Sequence, residues 1–190
     1  VESDSVLNYT IVLDAGHGGI DGGSVGAKKV TEAEINLSVT KKLETLLSGF
    51  GFNVVLTRHD SGGLYSFNAS NKKQDDMKKR KAIIQNANAN MVVSIHMNSY
   101  INAYEKGAQT FYLVGDDQSK LLADAIQNEM QSKLVDARKN SNHADLYILK
   151  CASVPSVVVE GGFLSNPQEE ELLVSSDYQS KIAYSVFCGI

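Results

Sequence analysis

Three apolar runs in this 190-residue chain each end on side chains able to do chemistry. "IVLDAGHGG" (11–19) leads to Asp14 and His17, "MVVSIHMN" (91–98) leads to His96 and Asn98, and "SVVVE" (156–160) closes on Glu160. Two imidazoles and a carboxylate are a donor set suited to zinc, with a fourth position left open to water. A lone carboxylate at the end of a valine run is costly to bury without a partner, and a metal ion is one such partner. Residue types and spacing leave Asp14, Asp21, Glu32, Glu34 and Glu160 all open as the carboxylate ligand. A structural reading stands beside the metal one. His17 would then be a hydrogen-bonding residue in a glycine-rich turn, and Glu160 would pair with Arg58 or Arg80 in an ion network.

These residues meet only if the right elements carry them. "YTIVLDA" (9–15) reads as a strand buried on both faces. Thr31 with Glu34 three residues on has capping-box spacing. Ile35, Val39, Leu43 and Leu46 then recur at helical period until the glycines at 49–51 stop the helix. "FNVVLTR" (52–58) is a second strand, and the Gly-, Ser- and Asn-rich stretch 59–76 is a surface loop within the domain. A helix is expected over about 76–88, and the basic run within 71–80 is read as its solvated face, with only weak support for a wall-polymer or membrane contact. Strands follow at 91–96, 108–114, 145–150 and 156–160. A helix over 117–134 carries Leu121, Ala125, Ile126 and Met130 on one side, and 167–190 is helical. This alternation predicts a single α/β domain over 1–190, preceded by a tail at about 1–8. Its central sheet is mixed and largely parallel, with helices on both faces. In such sheets ligands bind beyond the carboxyl ends of the strands, so His17, His96 and Glu160 share a crevice if their strands are neighbours.

Composition narrows the rest. A net charge of −4 gives no global basic field, so nucleic acid is not an expected partner. Cys151 and Cys188 are far apart among apolar residues, which favours two buried thiols over one disulfide. No stretch has the length of a membrane span. The chain begins with Val1, so an upstream signal or anchor is expected to have been removed.

Taken in order, "IVLDAGHGGIDGGSVG" (11–26), "TEAEINLSVTKKLETLL" (31–47), "NVVLTR" (53–58), "MVVSIHMNS" (91–99) and "VPSVVVEGGFLSN" (154–166) resemble the zinc-dependent N-acetylmuramoyl-L-alanine amidases of the Amidase_3 family. The likeness is strongest to their germination-specific, sporulation-associated branch. The resemblance implies one Zn²⁺ on His17, Glu32 and His96, with Glu32 taken from "EAEINL", where Ala33 stands in place of a usual basic residue. It implies Glu160 as catalytic acid/base in cleaving the amide between N-acetylmuramic acid and L-alanine. Asp14 is expected to orient a ligand or to cap the turn, and Gly16, Gly18 and Gly19 to let backbone pass close to metal and substrate. Asn98, Leu146 and Tyr147 are expected to touch substrate, the last two from a groove-lining strand 145–150. That strand ends on Lys150 where the family often has arginine. His59 and His143 are read as surface residues, with His143 as an outside candidate for a fourth ligand. Peptidoglycan is the implied substrate, in the cell wall or spore envelope outside the cytoplasm. Some family members need an activator, so a regulatory protein is an allowed partner. Two competing readings are a zinc peptidase acting within the stem peptide and a catalytically silent wall-binding module.

Overall fold

The computed structural model describes residues 8–190; the expected N-terminal tail therefore lies, but for Asn8, outside the described residues. The strands are β1 (Thr10–Ala15), β2 (Asn53–Leu56), β3 (Met91–Asn98), β4 (Gln109–Tyr112), β5 (Asn142–His143) and β6 (Ser156–Phe163). The helices are α1 (Glu32–Phe50), α2 (Lys72–Asn86), α3 (Asp117–Lys133), α4 (Pro167–Leu173) and α5 (Ser176–Gly189). They build one α/β domain around a six-stranded sheet of order β2-β1-β3-β6-β4-β5. Neighbours are parallel except β4 against β6, which run antiparallel.

Strand alternation assigns the two faces. Ile11, Leu13, Val93, Ile95, Val157 and Val159 point to one side, where α1, α3 and α5 cover them with Val39, Leu43, Ile126, Met130, Ile182 and Val186. Val12, Val92 and Val158 point to the other, against Ile84 of α2 and the 3-10 turn Ile148–Lys150. A continuous apolar β1 and β3 thus follows from burial on both faces. His17 follows the end of β1, while His96 and Glu160 lie within the second halves of β3 and β6, where both are only partly buried.

Several boundaries differ from the sequence expectation. α2 begins at Lys72, one turn early, because Asn71 caps the Gln74 N–H at 3.0 Å. Its run 71–80 is not wholly a solvated face: Asp76 and Arg80 point inward and are buried. On α3 the inward residues are Leu122, Ala123, Ile126 and Met130, while Leu121 is 63% exposed. Residues 145–150 form no strand; the chain turns there, and Lys150 pairs with Asp145. The tail breaks at Val174–Ser175 into α4 and α5. Both cysteines are free thiols, with Cys151 buried but Cys188 exposed, contrary to the expectation that both are buried.

Candidate active site

The topology makes β1, β3 and β6 neighbours, and their carboxyl ends open into one crevice. His96 and Glu160 are register partners on β3 and β6, so adjacent strands present them on the same face. His17 follows β1 in a left-handed backbone conformation, φ 62°, which a non-glycine residue adopts only where its surroundings hold it. Here two buried guanidinium groups hold it. Arg80 donates to the carbonyls of Ala15 at 2.7 Å and His17 at 2.5 Å. Arg58 donates to those of Ala15 at 2.9 Å, Gly16 at 3.0 Å and Ala33 at 2.8 Å.

Glu32 reaches the crevice from the first turn of α1. Thr31 caps that helix, and Glu34 closes the capping box by accepting from the Thr31 N–H at 2.9 Å. Glu34 is thereby used as a cap, leaving Glu32 to turn inward. The Glu32 Oε1 lies 3.2 Å from His17 Nε2 and 2.9 Å from His96 Nδ1. It also accepts from Asn36 Nδ2 at 3.2 Å and from the Met97 N–H at 3.3 Å, while Oε2 accepts from the Ser24 N–H at 3.0 Å. Donor atoms of His17, Glu32 and His96 all lie within 4.8 Å of one another. Burial opposes ionisation of Glu32, but hydrogen bonds and charge from the two histidines outweigh it and hold the carboxyl far below its ordinary range. On the far side of His17, Nδ1 lies 3.0 Å from Asp21 Oδ1. That contact gives the Nδ1 proton an acceptor and leaves Nε2 as the ring nitrogen that faces Glu32. Burial disfavours the His17 imidazolium, yet Glu32 and Asp21 together raise its pKa.

The ring of His96 occupies the space beside Gly16. A Cβ on Gly16 would stand 2.2 Å from two atoms of that ring, so only glycine lets the backbone pass there. Gly18 and Gly19 pack against Gly62, Gly63 and Tyr65 of the following loop, and Gly18 also lines the cavity beside His17, His96 and Glu160.

Glu160 stands apart from the three. Its Oε2 is enclosed and has no hydrogen-bond partner among the described residues. Neither Arg58 nor Arg80 pairs with it, because Arg58 is committed to backbone carbonyls and Arg80 to Asp14 and Asp76 at 2.6 Å each. The ion-network reading of Glu160 therefore fails. Burial pushes its carboxyl up to about 7. A buried carboxylate oxygen with no donor, beside three converging ligand atoms, fits a site built for a divalent cation and a reacting water.

Asp14 touches no ligand directly. It accepts from Thr57 at 2.7 Å, Ser94 at 2.6 Å and Arg80 at 2.6 Å, and so acts on His17 through Arg80. Asn98 lines the polar side of the crevice with Ser24 and Ser99, and its Oδ1 accepts the Ser99 N–H at 2.8 Å. Leu146 and Tyr147 line a cavity of about 440 Å³ beside His17, His96 and Glu160; they do so from a turn. His59 and His143 are exposed, and His143 lies on β5 at the sheet edge, away from the three ligands. Sequence reasoning missed Asp76 and Asn36, and named Arg80 only as a partner for Glu160 rather than for Asp14 and Asp76. Asn36 had a signal, four residues after Glu32 on the same helix face; the other two had none but helical spacing.

With the geometry in place, comparison with known proteins is direct. The profile of the N-acetylmuramoyl-L-alanine amidase family, Amidase_3, matches residues 11–190. The chain is 34% identical to the germination-specific N-acetylmuramoyl-L-alanine amidase of Bacillus subtilis, over 95% of this chain and 77% of that one. Its fold is similar to that of the CwlD amidase from Clostridioides difficile, solved in complex with the GerS lipoprotein, with a TM-score of 0.92, 42% identity and 96% of both chains covered. The catalytic domain of the amidase CwlV from Bacillus (Paenibacillus) polymyxa var. colistinus superposes with a TM-score of 0.83 at 30% identity, covering 95% of each chain. The chain belongs to the N-acetylmuramoyl-L-alanine amidase family and is an enzyme of that class.

Proposed function

We propose that this amidase cuts the bond between the lactyl group of N-acetylmuramic acid and L-alanine with one Zn²⁺ held by His17, Glu32 and His96, and that Glu160 carries the proton. The observation that supports this most is the convergence of those three donors within 4.8 Å beside an enclosed, unpartnered carboxylate oxygen. Zinc bound there supplies Lewis acidity, which acidifies water and polarises a carbonyl. Glu160 Oε2 accepts a proton from the attacking water as its oxygen bonds to the carbonyl carbon. The same oxygen returns the proton to the alanine nitrogen as the C–N bond breaks, since an amide nitrogen leaves poorly unless protonated. A carboxyl near pH 7 is suited to both halves of that transfer. Leu146 and Tyr147 contact the substrate from the apolar side and Asn98 from the polar side.

The similarity to a germination-specific relative supports a role in spore-cortex modification, outside the cytoplasm. Because the CwlD amidase is solved with a lipoprotein, a protein activator belongs to the proposal as well. Among the described residues no helix is long and apolar enough to cross a membrane.

Digestion of purified cortex peptidoglycan by chelated and zinc-restored enzyme, with mass spectrometry of the products, tests the assignment. The expected products are intact stem peptides with a free L-alanine amino terminus, formed only after zinc is restored. Shorter peptides cut within the stem would instead establish the zinc-peptidase reading.

A further inference from the structure

The apolar cavity beside the site does not end at Tyr147. It runs into a second groove, lined by Asn71, Lys73, Gln74, Met77, Lys78 and Tyr147, and shares Lys73, Met77 and Tyr147 with it. Among the described residues no carboxylate lines this second groove, and two ammonium groups do. In a chain of net charge −4 this is a local reversal of sign.

The other charges nearby are already committed. Arg80 spends its donors on Asp14, Asp76 and two carbonyls. Lys72 lies over the rings of Tyr65 at 5.3 Å and Phe67 at 5.8 Å. Lys73, by contrast, approaches no carboxylate among the described residues but Asp21, at 3.7 Å, which is beyond hydrogen-bond distance, and its side chain is 75% exposed. Lys73 also lines the polar crevice that holds Glu32, Asn98 and Ser99. It therefore stands where the polar crevice, the apolar cavity and the second groove meet. The amino end of α2, which starts at Lys72, adds the partial positive charge of a helix terminus.

Building on the amidase reading, we propose that the groove between α2 and Tyr147 holds the stem peptide beyond L-alanine, and that Lys73 and Lys78 select for its free carboxylates. The polymer then has a direction across the site. The sugar lies on the Ser24, Asn98 and Ser99 side, the scissile amide over the three ligands, and the acidic peptide along α2. L-Alanine's methyl faces Met77 and Ile148, and the next residue's carboxylate reaches Lys73.

Binding can be measured apart from turnover by placing the lysine changes in a Glu160→Gln background. The probes are N-acetylmuramoyl-L-alanyl-γ-D-glutamyl-meso-diaminopimelate and the same compound with its glutamyl α-carboxyl amidated. Titration calorimetry on zinc-loaded Glu160→Gln is expected to show the free acid binding about tenfold tighter, with the ratio shrinking as salt is raised. Adding Lys73→Gln and Lys78→Gln is expected to bring the two affinities together. Equal binding before the lysine substitutions, a preference that survives them, or no binding of either probe would overturn the proposal. Failure of the amidase reading shows separately, as binding of the probe by the wild type without release of its peptide.

Discussion

Glu160 closes a buried run of valines, and its Oε2 has no hydrogen-bond partner. Burial raises its pKa from 4.5 to about 7, so in the metal-free protein the folded state holds this proton more tightly than the unfolded chain does. Stability from the protonated form is then full below about pH 4.5 and is lost as pH rises toward about 7, by on the order of 3 kcal/mol. His17, whose pKa is also raised, adds a loss in the same direction at higher pH. Urea unfolding of the chelated protein across pH 4 to 8 checks this: Glu160→Gln should flatten the first fall and leave the second. An unchanged profile would mean that Glu160 is well solvated. At this scale the meeting of His17, His96 and Glu160 in one crevice was legible, because each follows an apolar run on a central strand. Glu32 was not chosen by residue type, since five carboxylates competed. The capping box removes one competitor, because it turns Glu34 back on Thr31 and leaves Glu32 as the acid of that first turn that faces the histidines.

Between elements, the decisive contact is α2 against the β1 loop. Arg80 is 2% exposed and joins Asp14 of β1 and Asp76 of its own helix to the carbonyl of His17. Burial opposes ionisation of Asp14, but Arg80 and the hydroxyls of Ser94 and Thr57 lower its pKa below the ordinary range. Arg80→Met would leave two buried carboxylates without their cation, which costs about 3–5 kcal/mol, and would release His17 from its left-handed conformation. Denaturant midpoints and zinc titration should both fall. A variant with near-normal stability and zinc affinity would show that Arg58 alone holds the loop. None of this was readable from the run "KKQDDMKKR", whose charges suggest a solvated face. The inward positions 76, 77, 80 and 84 of α2 do follow helical spacing, but two of the four are charged, so hydrophobic periodicity passes over them. The expected strand at 145–150 failed for a related reason. The unbroken apolar run Leu146–Leu149 belongs to a turn that sets Ile148 and Leu149 on the core and leaves Leu146 and Tyr147 beside the cavity.

Across the whole molecule, the order of the sheet makes the site. Because β1, β3 and β6 are adjacent and parallel, three distant stretches of sequence deliver their polar ends to one edge, and α1 adds Glu32 from the opposite face. The strand and helix alternation foretold the fold class and the crevice. The antiparallel β4 had no local signal, since pairing direction depends on where the connection returns. Zinc at this site would tie β1, α1 and β3 together and stabilise only the folded state. At a free concentration about 100 times its dissociation constant, zinc should raise the melting temperature by about 5–10 °C. Calorimetry before and after chelation measures the shift; no shift would mean that the three donors hold no ion.

The proposed division of labour, with His17, Glu32 and His96 as ligands and Glu160 as proton carrier, is tested most directly by one paired measurement on Glu160→Gln. Zinc content by elemental analysis and amidase turnover are read on the same preparation beside the wild type. One zinc per chain in both proteins, with turnover in the variant lower by at least about 10²–10⁴-fold, is the expected result. Turnover close to wild type, or loss of the zinc along with the carboxylate, would contradict it.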